Sequence, residues 1–98
     1  MNNKIYLSSP HIGDTEQKYV KEAFSTNWIA PIGPNVDRFE KSISNYIEPD
    51  IKSCVLSSGT AAIHLALKLL NVKRDDFVLV QSFTFCGTTN PVSYIGAN

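Results

Sequence analysis

Residues 57–61 (Ser-Ser-Gly-Thr-Ala) combine hydroxyl groups and a glycine just before an apolar helical pattern. The unpaired N–H groups and the dipole at the start of a helix attract an anion. Gly59 would let the backbone approach that anion closely. The segment therefore predicts a phosphate site, with the simpler alternative that Ser57 or Ser58 only caps the helix.

A second segment, residues 82–90 (Ser-Phe-Thr-Phe-Cys-Gly-Thr-Thr-Asn), follows a run of apolar residues that is typical of a strand. In an α/β fold both segments would lie at the carboxyl edge of the sheet, where such folds bind ligands. Phe85 could stack on a planar ring of a ligand, or it could simply be buried.

Two further residues of chemical interest have simpler interpretations. Trp28 lies in a loop, residues 27–34, that two prolines and a glycine make rigid, and we expect it to pack against the helix that follows. His64 could act as a base, but it shares a helix face with Lys68 four residues later. We therefore expect His64 to be a surface or packing residue.

Composition limits the classes of partner. Nine Lys and Arg residues balance nine Asp and Glu residues, so the charge favours neither nucleic acid nor an anionic membrane. The N-terminus lacks the apolar run of a signal peptide, and no stretch approaches the roughly 20 apolar residues that span a bilayer. Cys54 and Cys86 lack metal-site spacing and are expected to be buried, reduced thiols. These features predict a cytoplasmic protein without a metal.

The segments are positioned by alternating helical and strand patterns. Helices are predicted from Asp14 to about Ser25, from Pro34 to Pro49, from Ala61 to about Leu70, and finally up to about Gly96. The helix from Ala61 is apolar almost all round and should be buried. Residues 54–56 and 77–80 are continuous apolar runs, which are typical of buried strands in a parallel sheet. The strand–helix–strand–helix order predicts an α/β fold.

Taken together, these segments resemble the DegT/DnrJ/EryC1/StrS family of pyridoxal phosphate (PLP)-dependent sugar aminotransferases. The matching stretches are Pro10-x-Ile12-x-x-x-Glu16, Trp28-Ile29-Ala30-Pro31-Ile32-Gly33-Pro34-x-Val36-x-x-Phe39-Glu40, Ser58-Gly59-Thr60-Ala61-Ala62, Ser82-Phe83-Thr84-Phe85 and Gly96-Ala97. Each stretch is weak alone, but their order and spacing are specific, and they run through nearly the whole chain.

The resemblance implies an incomplete N-terminal part of the major domain of PLP-dependent transferase fold type I, the aspartate aminotransferase-like fold. Residues 1–50 would form an N-terminal arm and helices, and residues 51–98 the start of the cofactor-binding α/β domain. The parent enzyme would be a cytoplasmic homodimer of polysaccharide biosynthesis. It would transfer an amino group, with glutamate as the expected donor, to a keto-sugar nucleotide.

By the same resemblance, the cofactor phosphate would lie on the backbone of Gly59, Thr60 and Ala61. Phe85 would stack on the PLP ring, and Trp28 would contact the sugar nucleotide. None of the seven lysines has the context of the family's Schiff-base lysine, and no residue matches the aspartate that pairs with the pyridinium nitrogen. We therefore expect no catalytic residue here and no activity from this chain alone. The alternatives are a deoxysugar dehydratase of the same family and a non-catalytic remnant or interaction module.

Overall fold

The computed structural model of the chain describes residues 4–48 and 50–98. Within these residues the chain forms four helices: α1 (Glu16–Ser25), α2 (Pro34–Ile47), α3 (Gly59–Leu69) and α4 (Cys86–Ile95). The contacts divide the chain into two units, one ending at Ser53 and the other beginning at Cys54. Helices α1 and α2 belong to the first unit, and α3 and α4 to the second.

The start of α1 differs from the sequence prediction. The helix begins at Glu16 after the N-cap residue Thr15, not at a cap formed by Asp14. The Glu16 carboxylate accepts a hydrogen bond from the backbone N–H of Gly13, with 2.9 Å between nitrogen and Oε1. That bond, together with backbone N–H groups of Glu16 and Thr15, lowers the pKa of Glu16 below its ordinary value. A carboxylate in the first turn also suits the positive end of the helix dipole.

Helix α2 begins with a proline because the N–H that proline lacks would have no helical partner at that position. Arg38 on α2 forms an ion pair with Glu22 on α1 at 3.1 Å, and its guanidinium lies 5.8 Å from the centre of the Tyr19 ring. Exposed ion pairs of this kind contribute little to stability. Pro49, predicted to end α2, lies outside the described residues.

Three of the helices end in the same way. A residue just after the helix adopts the left-handed backbone conformation, and two backbone N–H groups there donate to carbonyl groups of the last helical turn. The left-handed residues are Asn27 (φ 58°) after α1, Asn71 (φ 59°) after α3 and Gly96 (φ 81°) after α4. In each case the next residue's N–H donates to the carbonyl five positions earlier: Trp28 to Ala23, Val72 to Leu67 and Ala97 to Val92. This arrangement is the Schellman motif, and it turns the chain sharply at each helix end.

Helices α3 and α4 pack against each other and form the core of the second unit. Leu67 on α3 and Pro91 and Val92 on α4 are buried there. Pro91 lies inside α4, beyond its first turn. A proline at that position crowds the carbonyl four residues earlier, which here belongs to the buried residue Gly87.

The prediction that α3 is buried on all sides is wrong for this structure. Leu65, Leu69 and Leu70 are exposed, although α3 is apolar almost all round. Helix α4 covers one side of α3, and within the described residues nothing comparable covers the rest. An apolar helix with one covered face indicates a missing layer of structure, because such helices are normally buried.

The predicted strands do not form among the described residues. Residues 54–56 and 77–80 lie outside every helix, but neither pairs with the other in a ladder. A strand needs partners for its backbone groups, and among the described residues the backbone groups of Phe77 and Leu79 have none. The structure therefore leaves the α/β class unconfirmed, and the expected burial of residues 77–80 is wrong, since Phe77 and Leu79 are exposed.

Three further observations concern the described part of the chain. It contains no cluster of three His, Cys, Asp or Glu residues that could hold a metal ion. Cys54 and Cys86 are free thiols, and both are exposed, which contradicts the predicted burial. No helix in these residues combines the length and the apolar character needed to cross a membrane.

Candidate functional site

Ser58 caps the N-terminus of α3. Its backbone is extended (φ −162°, ψ 160°), and its hydroxyl oxygen accepts a hydrogen bond from the N–H of Ala61 at 3.2 Å. Its carbonyl oxygen accepts from the N–H of Ala62 at 3.1 Å, which closes the first helical turn. The capping role predicted for Ser57 or Ser58 is thus filled by Ser58. Ala61, one of the three residues expected to hold a phosphate, has its N–H occupied by this cap.

Two N–H groups of the first turn of α3 remain available to an anion. Within the described residues, the N–H groups of Gly59 and Thr60 have no hydrogen-bond acceptor. A Cβ atom at Gly59 would meet nothing within 4 Å apart from its chain neighbours and the backbone of its own helix, so the space beside this residue is open. The first turn carries no acidic side chain that would compete for the positive end of the helix dipole.

Phe85 occupies the N-cap position of α4, with an extended backbone (φ −68°, ψ 141°). Its carbonyl oxygen accepts from the N–H of Thr88 at 2.9 Å, and the hydroxyls of Thr84 and Thr88, 2.9 Å apart, join the two sides of this turn. The side chain of Phe85 is 79% exposed, so its ring is free to stack on a planar group.

Gly87, in the first turn of α4, brings these two parts together. A Cβ atom at Gly87 would lie 2.7 Å from the hydroxyl oxygen of Thr60 and 3.0 Å from Cδ1 of Phe85. The Thr60 hydroxyl and the Phe85 ring therefore lie against the same glycine. The sequence prediction had singled out Thr60 and Phe85 but not Gly87, although a glycine two residues after Phe85 was a visible signal of close approach.

Trp28, the expected substrate contact, belongs to the other unit. Its ring packs against Gly33, the N-cap residue of α2, where a Cβ would lie 2.9 Å from Cε3 of the indole. Gly33 has φ 142°, a conformation that side chains rarely adopt. Trp28 thus contacts the start of the next helix, as the simpler interpretation predicted, and about half of its surface stays exposed.

His64 makes a packing contact. Its ring meets the Tyr94 ring edge to face, with 5.8 Å between ring centres, across the contact between α3 and α4. That geometry is typical of aromatic pairs that stabilise a helix interface. The observation favours the packing interpretation of His64 over a role as a base.

PLP, the cofactor implied by the resemblance, combines a phosphate with a flat aromatic ring. The second unit offers a matching pair of features: two N–H groups without acceptors at an open helix end, and an exposed phenyl ring. The Thr60 hydroxyl, on the same first turn, and the Phe85 ring both lie beside Gly87 in one unit. The residues present therefore fit the phosphate and one face of the ring.

Comparison with known proteins gives an independent result. Residues 10–98 match the DegT/DnrJ/EryC1/StrS aminotransferase family. EpsN of Bacillus subtilis (strain 168), whose name places it among pyridoxal phosphate-dependent aminotransferases, is 53% identical over 94 residues, which cover 96% of this chain and 24% of EpsN.

Two relatives are named for a sugar product or substrate. The GDP-perosamine synthase of Caulobacter vibrioides is 34% identical over 95 residues, which cover 96% of this chain and 25% of that synthase. The dTDP-4-dehydro-2,3,6-trideoxy-D-glucose 4-aminotransferase of Saccharopolyspora spinosa is 33% identical over 94 residues, which cover 95% of this chain and 24% of that enzyme. The chain thus spans about a quarter of the length of these relatives. Since the family match extends over all but the first nine residues, the chain belongs to the DegT/DnrJ/EryC1/StrS aminotransferase family.

Proposed function

We propose that this chain supplies the phosphate-binding and ring-stacking part of the cofactor site in a PLP-dependent sugar aminotransferase. The observation that carries the proposal is the position of Gly87, which lies against both the Thr60 hydroxyl and the Phe85 ring. A phosphate held at the start of α3 would thereby have an aromatic ring close beside it. Family membership makes PLP the ligand with the matching chemistry.

Each residue of the site has a proposed task. The N–H groups of Gly59 and Thr60 donate to the phosphate oxygens, and the open space at Gly59 admits them. The N–H of Ala61 donates to the Ser58 hydroxyl and is not free for the phosphate. Ala61 therefore helps the site only by forming the first helical turn that holds Gly59 and Thr60 in place. Phe85 covers one face of the pyridine ring. When bound, PLP supplies an electron sink for amino-group transfer.

The proposed substrate is a keto-sugar nucleotide, with glutamate as amino donor. Two relatives are named for GDP- or dTDP-linked sugars, which supports this class of substrate. We further propose that Trp28 contacts the substrate with the exposed part of its ring, that the parent enzyme is a cytoplasmic homodimer, and that it contributes to polysaccharide biosynthesis. The chain alone is expected to be inactive, because none of its lysines has the context that PLP chemistry requires.

The test is binding of pyridoxamine 5′-phosphate to the full-length parent enzyme, followed by the ligand's fluorescence. This compound lacks the aldehyde and therefore does not react with surface lysines. We expect Gly59→Val to weaken binding by about tenfold or more, because a branched side chain fills the space that the phosphate needs. Gly13→Val, in the other unit, is the control and should leave the affinity unchanged. Equal affinity of wild type and Gly59→Val would refute the phosphate site.

A further inference from the structure

The start of α4 lacks the side-chain bond that commonly closes a helix N-terminus. Its N-cap residue is Phe85, whose phenyl ring carries no acceptor, so the cap makes no side-chain hydrogen bond. Helices favour Ser, Thr, Asp or Asn at this position, because a side-chain oxygen there accepts from the first turn. With Phe85 at the N-cap, the neighbouring residues must hold this turn in another way.

Thr84 and Thr88 hold the turn from either side of Phe85. Their hydroxyl oxygens are 2.9 Å apart and share a hydrogen bond. The backbone N–H of Thr88 also donates to the carbonyl of Phe85 at 2.9 Å. Thr88 is thus bonded through its side chain to the residue before Phe85 and through its main chain to Phe85 itself. Together the two bonds fix the direction of the backbone at Phe85.

The Phe85 ring itself is exposed, so packing does little to fix its direction. It is 79% exposed, whereas Thr84 and Thr88 are both partly buried. Its Cδ1 and Cε1 atoms lie 3.0 and 3.2 Å from the point where a Cβ of Gly87 would be, so the ring lies over this glycine. A side chain that is immobilised only on binding loses rotamer freedom, and that loss weakens affinity. A ring that is held in place beforehand avoids much of this loss.

We propose that Thr84 and Thr88 are positioning residues, whose shared hydroxyl bond holds the Phe85 ring in the orientation that stacks on the cofactor. The inference rests on the proposed function, since it presupposes that Phe85 covers the pyridine ring. It adds to the site two residues that act through Phe85 and do not themselves contact the ligand. The ring is then directed by the turn below it and not by side chains packed around it.

Direct binding of the ligand by these hydroxyls agrees less well with the geometry. The two hydroxyls are bonded to each other, and both side chains are partly buried. A pair of hydroxyls that share one bond has a single further proton to donate. The N–H groups at the start of α3, together with the dipole of that helix, attract an anion more strongly.

The experiment is a double-mutant cycle in the full-length parent enzyme, with pyridoxamine 5′-phosphate as the probe. Thr84→Val and Thr88→Val each keep the branched shape of the side chain and remove one hydroxyl. We expect each to weaken binding about two- to tenfold, and no more than Phe85→Ala does, because the pair acts only through the stacked ring. In the Phe85→Ala background the same substitutions should change the affinity no further. The circular dichroism that the bound ligand acquires from its fixed surroundings should decrease in both valine variants.

Conservative and matched variants control for a general effect on the fold. Thr84→Ser and Thr88→Ser keep the hydroxyl and should bind normally. Thr89→Val removes a hydroxyl that donates to the carbonyl of Cys86 within α4, at 3.1 Å, and should also bind normally. The combined Thr84→Val and Thr88→Val variant leaves neither hydroxyl without its partner, which protects the fold, and should weaken binding as much as either single change.

Two results would overturn the positioning role. One is normal binding by the valine variants of Thr84 and Thr88 while Phe85→Ala binds weakly. The other is a loss of affinity that persists in the Phe85→Ala background, which would identify direct contact with the ligand or a general weakening of the fold. Normal binding by Phe85→Ala itself would refute the stacking role, and with it both the proposed function of Phe85 and this inference.

Discussion

Thr60 and Gly87 approach so closely that a methyl group on Gly87 would lie 2.7 Å from the Thr60 hydroxyl oxygen. The two residues lie in the first turns of α3 and α4, so the glycine sets how near the two helix ends come. The proposed site depends on this contact, because it holds the end of α3 that we propose to bind phosphate beside the Phe85 ring.

The first prediction compares two glycine substitutions. Gly87→Val should destabilise the second unit by about 1–3 kcal/mol, because Gly87 is buried and any added atom collides with Thr60 and Phe85. Gly59→Val should leave the fold intact, because a Cβ atom there would meet nothing within 4 Å apart from its chain neighbours and the backbone of its own helix. Urea unfolding followed by circular dichroism measures both. Equal stability of the two variants would mean that the α3 and α4 ends move apart freely.

The second prediction concerns Phe85. Phe85→Ala should weaken binding of pyridoxamine 5′-phosphate about two- to tenfold, because aromatic stacking contributes roughly 0.5–1.5 kcal/mol beyond burial. Phe85→Tyr keeps the ring and should bind normally. Phe83→Ala removes an exposed phenyl ring two residues earlier and is the matched control. A loss of affinity that is the same for Phe83→Ala would show a general effect of the loop and not stacking by Phe85.

The third prediction separates capping from phosphate binding at α3. Ser58→Ala should cost about 0.5–2 kcal/mol of stability, because the N–H of Ala61 loses its acceptor. Ligand affinity should be retained, since Gly59 and Thr60 supply the proposed contacts. Ser57→Ala should have little effect on either quantity. Thermal unfolding and the fluorescence titration, made on the same samples, test both statements, and a stable Ser58→Ala variant would contradict the capping role.

The fourth prediction concerns pH and Glu16. Its pKa is lowered, first of all by the hydrogen bond from the Gly13 N–H, so the folded state favours the charged carboxylate. The resulting stabilisation is present above the ordinary carboxylate pKa and is lost as pH falls through the lowered pKa. Helix content, measured from about pH 6 to about pH 2, should therefore fall less steeply in Glu16→Gln. Glu48→Gln is the control, and an identical acid transition in wild type and Glu16→Gln would contradict the prediction.

The helices could be predicted well because their signals are local. The apolar spacing of Val36, Phe39 and Ile43 and the proline at the start of α2 lie within a few turns of one another. The start of α1 was misplaced because Asp14 and Thr15 are both residue types that favour the cap position, whereas Thr15 makes no side-chain cap bond and the Glu16 carboxylate bonds the Gly13 N–H instead. Sequence periodicity does not distinguish such neighbours.

The strands and the closest contact in the site could not be predicted in the same way. Residues 77–80 carry the pattern of a buried strand, but burial depends on neighbours that the pattern does not contain. Thr60 and Phe85 were identified from their chemistry, whereas Gly87 matters only because α3 and α4 cross beside it. A contact between residues 27 positions apart is a property of packing.

The left-handed turn at Gly96 also bears on the order of folding. It turns the chain back at the end of α4, so that the carbonyl of Gly96 accepts from the N–H of Asp75 and Asn98 reaches Asp76. The loop closed in this way has roughly twenty residues, and its closure entropy is small and grows only slowly with length. Local contacts of this kind form early in folding, before long-range strand pairing. We therefore expect the segment from Asp75 to Asn98 to close on itself first, before contacts with more distant parts of the chain form.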